Sequence, residues 1–592
     1  MADQAAWSRR RFIQVAAGAA GAAGLVSVEA ILAQRAGQEP ILLNHVGFCP
    51  AASKIAYVPG ASAGPFTVVN SSSGQTAFSG SAAAISGDFG SFGVCDFGAL
   101  RQAGSYVVQM SNRRSGPFSI APDIYDAALG KSLAYLSRQR CGDSTTGYHA
   151  PCHLDDGKRT DTGAHHDATG GWHDACDLRK WVDATIYAMI GLSRIAGRMS
   201  EQRDAIEAEL RWGNRYFLNM QEPAGFLMNY CGGDDGNHFT DNKSGTSDDR
   251  PIHVEPCELP AQFHFVGAQA SLARLARDRD ADYAHRCELA ARKCWQWCTA
   301  NNSPGAATTL SAQIMAIAEM HRAWNDPAAP QLVAEAMKRL LSLQVTTAAR
   351  PDQPTGYFRT ARDDPSPYRQ IKHGNLPLVA MAVALDQFGT HADAPTWRAG
   401  LRHYADHLAT MARRSGMGIV PFGLYESPDP GGNRRIGPMW YRWFMKPRGE
   451  ESANETWWVG INANLASSGV GLALSARLLG DASLFDLAQR QLDWILGANP
   501  FDASTMTDVG RNQPQVYRPD AFKPPTPVIP GGVTNGIGGD ASDRPQLLPG
   551  SWNTCEYWTP MLAWTMWLMA ELQNGLGMPA KIAATRPATR GD

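Results

Sequence analysis

The sequence has almost no excess of charge of either sign and few long apolar runs. Its 54 Lys and Arg residues nearly balance 56 Asp and Glu residues, giving a formal net charge of -2, and no long basic run occurs. Nucleic-acid binding depends on clustered cations that neutralise phosphates, so this composition gives it no support. Apart from a short N-terminal run, no stretch approaches the ~20 apolar residues of a membrane span. We therefore expect no nucleic-acid partner and no membrane span in the mature protein.

What the sequence does contain is typical of a large globular protein. Its 592 residues exceed one ordinary domain, and its hydrophobic content of 44% supports a large buried core. Most of the 17 Trp residues should pack in the core, and a minority in loops would suit stacking on the apolar face of sugar rings. The 11 Cys residues form an odd set, so at least one is free, bound to metal or paired between chains.

The first 36 residues are typical of an export signal. Ser8-Arg-Arg-Arg-Phe-Ile13 precedes a weakly apolar run rich in Ala and Gly, from Val15 to Val26. Paired arginines before a short run of this kind indicate the twin-arginine route, which carries folded proteins. A membrane anchor is the alternative, although the run is shorter than a span requires. We expect residues 1–36 to be a signal segment and the protein to be periplasmic or extracellular.

The rest of the chain divides into a β-type part and a helical part. Short β-type runs such as 54–58, 66–69 and 104–109 predict a small β-sandwich over residues 38–122. Twelve helices fit an (α/α)6 barrel over 124–575, six inner helices ringed by six outer ones, although another all-α toroid or solenoid would share the pattern. Apolar residues recur at three-to-four spacing near 124–139, 179–197, 203–220, 258–277, 281–299, 308–324, 329–343, 374–388, 396–413, 460–478, 482–496 and 557–574.

Long loops connect these helices and hold most clusters of Asp, His, Trp and Gly. Loops of this length usually carry function. A tail over 576–592, rich in Ala, Thr, Pro and Arg, is predicted to be disordered. The long loops are 140–178, 221–257, 345–373, 414–458 and 498–556.

A pair of acidic residues opens one of the helices. Asp174 and Asp177 lie three apart at the helix entry, within the segment from Gly170 to Val182, so both carboxylates can face one side. Two carboxylates that share a water form a good base site, because one removes the proton while the other orients the water. The alternative is an N-cap together with a surface charge, since acidic residues are common at helix starts.

A glutamate precedes the last, very apolar helix. Glu556 lies among Trp552, Tyr557 and Trp558. A carboxyl group beside apolar rings has its pKa raised by desolvation, as a general acid requires. The alternative is a solvated glutamate at a helix N-terminus.

The first of these segments carries a family resemblance. Gly170-Gly-Trp-His-Asp-Ala-Cys-Asp177 strongly resembles the Gly-Gly-Trp-Tyr/His-Asp-Ala-Gly-Asp signature of glycoside hydrolase family 9. In that family the second Asp is the catalytic base and the first supports the nucleophilic water, which implies these roles for Asp177 and Asp174. The family's acid, usually written Asn-Glu, stands near the C-terminus. Glu556 matches it by position and by the apolar helix that follows, with Cys555 in place of Asn.

Two further stretches are similar to the family. Ile41-Leu-Leu-Asn-His-Val-Gly-Phe48 resembles the opening strand of the immunoglobulin-like domain that precedes many family 9 barrels, and Leu492 to Pro500 resembles the Leu-Gly-x-Asn-Pro segment. The likeness covers roughly residues 41–575 and implies an immunoglobulin-like β-sandwich followed by an (α/α)6 barrel. It also implies an inverting mechanism, in which acid and base carboxyls stand roughly 6.5–9.5 Å apart.

Four residues near the acidic pair form a candidate metal site. Cys141, Cys152, His153 and His173 supply two thiolates and two imidazoles, a tetrahedral zinc set with wider spacing than a zinc finger. A Cys141–Cys152 disulfide with two polar histidines is the alternative. The resemblance favours zinc, because family 9 enzymes with the immunoglobulin-like domain can carry a structural zinc of this composition. Since His173 adjoins Asp174, such a metal would fix the catalytic loop rather than perform chemistry.

Calcium is a second candidate ligand. The acidic clusters Asp234-Asp235, Asp241-Asn242 and Asp248-Asp249 offer hard oxygen ligands. The same residues would also suit sugar binding or simple solvation, so no calcium cage is assigned from sequence.

The substrate is expected to be a polysaccharide or oligosaccharide, and the chain a monomer. Many family 9 endoglucanases have a Pro-His-His-Arg stretch that binds glucose units. The corresponding region here, Val509 to Arg518, lacks the paired histidines, so Tyr517 and Arg518 would take over some binding. The candidate sugar platforms, for which core packing is the alternative in each case, are Trp172, Trp440, Tyr441, Trp443, Trp457 and Tyr557.

The leading hypothesis is hydrolysis of a β-1,4-linked glucan or gluco-oligosaccharide. An exo-acting glycosidase such as a β-glucosaminidase is the alternative within the fold, and it would need a blocked cleft end and an extra carboxylate. A non-catalytic glycan-binding protein is less favoured, because Asp174, Asp177 and Glu556 are all retained. A polysaccharide lyase would want a Tyr or His base and basic residues that bind uronates.

Overall fold

A computed structural model gives the fold. It describes residues 40–143, 147–197, 199–233, 239–301, 305–428, 432–447, 458–518 and 527–576. The expected signal segment 1–36, residues 577–592 of the expected tail, and Asp234, Asp235 and Trp457 lie outside the described residues.

The N-terminal part is a β-rich domain, as predicted. Its strands pair in the order β1-β8-β6-β3-β4-β5-β2, with β7 beside β6. The long strand β4 pairs with β3 through its first half and with β5 through its second half, so it links both halves of the domain. The strands are β1 (Gly47–Phe48), β2 (Ile55–Pro59), β3 (Gly64–Asn70), β4 (Thr76–Gly87), β5 (Gly90–Asp96), β6 (Gly104–Met110), β7 (Arg113–Arg114) and β8 (Phe118–Ile120).

The core of this domain is aromatic and β-branched. Phe48 packs edge-on against Phe97 and Phe118, with ring centroids 5.8 Å apart in both pairs. Val68 and Val108 are fully buried on the paired strands β3 and β6. Alternating burial along β3 explains why this segment forms a strand with one face in the core.

Twelve helices of 13 residues or more follow in the described part of the chain, one on each predicted helical segment. Short connections join α2 to α3, α4 to α5 and the later equivalent pairs. The helices are α1 (Asp126–Arg138), α2 (Val182–Ile195), α3 (Arg203–Asn219), α4 (Leu259–Ala276), α5 (Ala281–Asn301), α6 (Ala307–Trp324), α7 (Ala329–Leu341), α8 (Leu376–Phe388), α9 (Ala394–Ala412), α10 (Asn462–Leu479), α11 (Ala482–Ile495) and α12 (Thr559–Asn574).

Burial alternates along this series, which identifies an inner and an outer ring. In α4, 15 of 18 residues are buried, whereas in α5 only 7 of 21 are. The even-numbered helices pack against one another in sequence, and α12 closes the ring against α2. A helix that is apolar on all sides belongs inside, and an amphipathic one belongs at the surface. The predicted (α/α)6 architecture is therefore confirmed.

The long loops gather at one end of the barrel. Inner helices lead into outer ones through short turns, whereas five of the six returns from an outer helix to the next inner one are long. Both acidic segments precede inner helices, α2 and α12, so they meet at this end. Small sheets brace the loops. Their strands are β9 (Lys158–Arg159), β10 (Lys180–Trp181), β11 (Met228–Cys231), β12 (Pro251–Pro256), β13 (Gly423–Tyr425), β14 (Arg435–Ile436), β15 (Met439–Arg442), β16 (Gly538–Gly539) and β17 (Pro545–Gln546).

The turn between β4 and β5 connects the two domains. Asp88 at this turn accepts hydrogen bonds from the Tyr441 hydroxyl at 2.6 Å and the Trp443 indole at 2.9 Å. Phe89 lies 5.2 Å from the Trp443 ring and 5.4 Å from the Trp494 ring. Among the described helices, none combines the length and apolarity that crossing a membrane requires.

Candidate active site

The loop before α2 is held to the start of α12. The backbone carbonyl of Asp174 accepts hydrogen bonds from the Thr559 amide at 2.9 Å and the Thr559 hydroxyl at 2.8 Å. Its amide donates to the carbonyl of Arg179 at 3.0 Å, which closes the loop on itself. The first acidic segment and the last inner helix therefore form one unit.

Asp174 is almost fully buried at 4% exposure. Its Oδ2 accepts a hydrogen bond from the Trp558 indole at 3.0 Å, while Oδ1 has no partner among the described residues. Burial raises the pKa of this carboxyl well above its usual range, and the neighbouring charges of Asp177 and Glu556 add to the effect.

Asp177 is less enclosed, with 21% of its side chain exposed. Its Oδ2 lies 3.2 Å from Nη1 of Arg179, and its buried Oδ1 has no hydrogen-bond partner in the described part of the chain. Burial raises the pKa of Asp177, while the positive charge of Arg179 opposes that rise. An ion-paired carboxylate with one free oxygen is suited to accept a proton from water.

Glu556 faces the same loop from the other side. Its Oε1 accepts a hydrogen bond from the amide of Cys176, next to Asp177, at 3.3 Å. Burial raises the pKa of Glu556 well above its usual range, and the charge of Asp177 raises it further. The geometry thus brings Asp174, Asp177 and Glu556 together, with Glu556 favoured as a protonated acid.

Residues that the sequence did not single out complete this site. The Cys176 thiol donates to the carbonyl of Tyr517 at 3.1 Å, which ties the loop to the segment before Arg518. The buried Arg250 donates to the carbonyl of Leu178 at 2.7 Å and forms a two-pronged pair with Asp156 at 2.8 and 2.6 Å. The sequence could have indicated Cys176, because it lies within the motif. It could not have indicated Arg250, because the Leu178 carbonyl that Arg250 contacts is 72 positions away.

Two expected sugar platforms lie in the core instead. Trp172 is fully buried, and its indole donates to Glu209 at 2.6 Å. A Cβ at Gly213 would stand 1.8 Å from its ring, so helix α3 leaves this space for the indole. Tyr557 is 3% exposed and packs edge-on against Tyr135 with centroids 5.1 Å apart. The assignment of both rings to sugar stacking is therefore corrected, because neither presents a face to solvent.

Three of the other expected binding residues are more accessible. Tyr517 and Trp440 are half-buried, and Arg518 is exposed. Tyr517 donates its amide to the Cys555 carbonyl at 3.0 Å, beside Glu556, which places it at the site. Trp440 lies under the Arg435 guanidinium, 4.9 Å from the ring centroid. Tyr441 and Trp443 are buried at the domain contact and are not platforms.

The four expected metal ligands come together. Cys141, Cys152, His153 and His173 are all fully buried, and their ligand atoms lie within 4.8 Å of one another. Cys141 Sγ is 3.5 Å from His153 Nδ1, and Cys152 Sγ is 3.6 Å from His173 Nε2. Tetrahedral zinc with bonds of about 2.3 Å to sulfur and about 2.0 Å to nitrogen places S and N ligands about 3.6 Å apart. The donor set and spacing therefore fit a structural metal.

This cluster is linked through the backbone to the loop that carries Asp174 and Asp177. His173 donates its amide to the Gln139 carbonyl at 2.9 Å, and Cys141 donates to the Gly171 carbonyl at 2.9 Å. Burial lowers the pKa of His173 to about 3, so its imidazole is neutral and able to ligate. Because His173 precedes Asp174, an ion here would hold the loop in place.

A second, acidic cluster contains Asp248 and Asp249, as expected, together with Asp155. Oδ2 of the buried Asp155 has no hydrogen-bond partner in the described ranges. Asp241 and Asn242 accept backbone hydrogen bonds from Lys243 and Leu154 instead. Asp241 and Asn242 are outside this cluster, and Asp155, which the sequence did not single out, joins Asp248 and Asp249 in it.

Comparisons with known proteins agree with the fold and the order of the two domains. The sequence model of the cellulase N-terminal ig-like domain matches residues 36–115, and that of glycosyl hydrolase family 9 matches residues 125–328. Endoglucanase D of Acetivibrio thermocellus is 27% identical over 288 residues, covering 43% of this chain and 45% of that protein. A cellodextrinase of Butyrivibrio fibrisolvens is 35% identical over 166 residues, covering 26% and 29%. The matched region thus spans less than half of these curated relatives.

Solved structures show the same fold at low identity. A single mutant of a thermostable endoglucanase from Alicyclobacillus acidocaldarius superposes with a TM-score of 0.65 at 19% identity, covering 90% of this chain and 99% of that one. A Zn-binding triple mutant of a family 9 endoglucanase gives a TM-score of 0.63 at 21% identity, covering 89% and 99%.

Proposed function

Since the chain belongs to glycoside hydrolase family 9, with a cellulase-type immunoglobulin-like domain before the barrel, we propose that it is an inverting glycoside hydrolase. Its proposed substrates are β-1,4-linked glucan and gluco-oligosaccharides. The similarity to an endoglucanase and a cellodextrinase supports this substrate class. Export by the twin-arginine route and a monomeric state remain part of the proposal.

One observation carries the mechanism: the Glu556 carboxyl accepts a hydrogen bond from the amide next to Asp177. In the proposed reaction Glu556 donates its proton to the glycosidic oxygen as the bond to C1 breaks. Asp177 takes a proton from the water that attacks C1 from the opposite face, and Asp174 orients that water. The raised pKa of Glu556 supports its role as acid, because the carboxyl must be protonated before the step.

The proposed metals are structural. Cys141, Cys152, His153 and His173 would hold zinc with no open position, so the ion would stabilise the loop and take no part in the chemistry. Calcium at Asp155, Asp248 and Asp249 is supported by the partnerless, buried Oδ2 of Asp155.

The binding residues proposed for the sugar are Tyr517, Arg518 and Trp440. Tyr517 contacts both acidic segments: its carbonyl accepts from the Cys176 thiol, and its amide donates to the Cys555 carbonyl. Arg518 follows it and is exposed, so its guanidinium is free to reach sugar hydroxyls. Trp440 is half-buried and belongs to one of the long loops at the same end of the barrel.

A Glu556→Gln variant tests the acid. We expect kcat on cello-oligosaccharides and mixed-linkage glucan to fall by about 10²–10⁴, because the carboxamide has no acidic proton to transfer to the leaving oxygen. Glu335→Gln, a change at an exposed residue of α7, is the matched control and should leave turnover intact. Including xyloglucan and chitosan oligomers, read by chromatography, separates glucanase from glucosaminidase action. Unchanged turnover in Glu556→Gln would remove Glu556 from the mechanism.

A further inference from the structure

Arg179 connects several parts of the acid–base site. Its Nη1 lies 3.2 Å from Oδ2 of Asp177, and its Nε donates to the Gly233 carbonyl at 3.0 Å. Its own carbonyl accepts the Asp174 amide at 3.0 Å. Gly232 has a φ of 141°, and a Cβ there would stand 3.0 Å from the Arg179 side chain, so glycine makes room for the arginine.

We propose that Arg179 is a positioning residue for the base: its guanidinium engages Oδ2 of Asp177 and leaves Oδ1 as the oxygen that takes the proton from water. This inference rests on the proposed function, because it names the working atom of the proposed base. Arg179 itself does not touch the reacting atoms.

The two oxygens of Asp177 have different surroundings. Oδ2 is ion-paired, whereas Oδ1 is buried and lacks a hydrogen-bond partner among the described residues. Buried carboxylate oxygens are normally satisfied by a protein group or by water. A water bound at Oδ1 would complete the site and would be placed for deprotonation.

The charges around Asp177 show why an arginine is useful at this position. Among the described residues, the charge of Asp177 raises the pKa of three acidic neighbours, Asp174, Glu556 and the Cys176 thiol. Two cations of the described residues, Arg179 and Arg250, lower the pKa of Asp177 itself. Arg250 is fully buried and paired with Asp156, so of these two cations Arg179 is the one in direct contact with Asp177. Its charge lowers the pKa of Asp177 and of Glu556 together.

Replacing Arg179 with Gln should therefore shift the pH profile and not only reduce its height. Without the guanidinium both carboxyls bind protons more tightly. We expect both limbs of the bell-shaped profile of kcat/KM to move to higher pH, by about one unit or more. Arg179→Lys keeps the charge and loses the planar fork. Both limbs should therefore lie close to their wild-type positions, while kcat/KM recovers only in part.

A matched control is available on the outer ring. Arg292 forms an ion pair with Glu288 on α5, 2.7 Å apart, and 45% of its side chain is exposed. Arg292→Gln removes an arginine–carboxylate pair of the same kind far along the chain, and it should leave both limbs in place. A purely structural role for Arg179 would lower kcat/KM equally at every pH, with unmoved limbs, and would overturn the inference.

A second readout needs no substrate. Carbodiimide activates protonated carboxyl groups for coupling to an added amine, so labelling of Asp177, mapped by mass spectrometry across pH, follows its protonation. The midpoint should rise by about one unit or more in Arg179→Gln and stay near wild type in Arg179→Lys and Arg292→Gln. An unmoved midpoint contradicts the inference even in an active enzyme. A shifted midpoint in a protein that cleaves no glucan supports the pairing and refutes the proposed function instead.

Discussion

In the proposed acid–base site, the three carboxyl groups differ in the group that contacts each of them. Each carboxyl is held through one named oxygen: Oδ2 of Asp174 by the Trp558 indole, Oδ2 of Asp177 by Arg179, and Oε1 of Glu556 by the Cys176 amide. All three lie where burial raises the pKa of a carboxyl. The direct cation beside Asp177 distinguishes the proposed base from the proposed acid, since Glu556 is held by a neutral amide.

A buried histidine predicts how stability depends on pH. Burial lowers the pKa of His407 on α9 to about 4, from an ordinary value near 6.5. Between these values the unfolded chain binds the proton and the folded chain does not, so stability is lost as pH falls from 6.5 to 4. The full difference corresponds to about 3 kcal/mol. Between pH 7.5 and pH 4.5, the apparent Tm of His407→Gln should therefore fall less than that of the wild type.

The exposed His403 on the same helix provides the control for this experiment. His403→Gln should keep the acid sensitivity of the wild type. If His407→Gln and wild type lose the same Tm on acidification, burial of the neutral imidazole is not a source of acid lability.

At the scale of elements, periodic segments were predictable and irregular ones were not. Long runs with three-to-four spacing gave the helices within a few residues; the segment predicted near 460–478 is Asn462–Leu479. The two-residue strands β9, β10 and β14 carry no periodic signal, because two residues cannot show alternation. Trp172 illustrates a second limit. The motif identified its neighbourhood, but only the packing against α3 showed that its ring faces the core.

Metal removal tests the link between the cysteine–histidine cluster and the proposed catalytic loop. Elemental analysis of protein purified without chelator should give about one zinc per chain. Binding free energy of a structural zinc is folding free energy. Removal by a chelator should therefore lower the apparent Tm by ~5 °C or more and reduce turnover, and added zinc should restore both.

Two serine variants make this result specific. Cys141→Ser removes a proposed ligand and should abolish stoichiometric zinc, whereas Cys287→Ser changes a buried cysteine of α5 that is outside the cluster. Full zinc content in Cys141→Ser, or none in the wild type, would contradict a zinc site.

At the scale of the whole molecule, the contacts that sequence could not reveal are those between distant segments. Cys176 and Glu556 are 380 positions apart, and Asp88 is 355 positions from Trp443. The first pair lies in the proposed acid–base site, and the second joins the β-domain to the barrel. The residues around Cys176 and Glu556 indicated that both segments have a function. The sequence could not predict that they contact each other, because tertiary packing brings such distant segments together.

The same whole-molecule arrangement explains why the proposed site lies at one end of the barrel. Inner helices begin there, and the loops that precede α2 and α12 bring the three carboxyls together. An acid and a base on opposite faces of one sugar can act in the same step only if both are supplied by a rigid frame. The closed ring of inner helices provides that frame.

The most direct test is the anomeric configuration of the first products, followed by proton NMR in the opening minutes of hydrolysis of a β-1,4-linked cello-oligosaccharide. With Glu556 as acid and Asp177 as base in one displacement, the α-anomer of the new reducing end should appear first and then equilibrate. Appearance of the β-anomer first would mean retention through a covalent intermediate, and it would contradict the assigned roles.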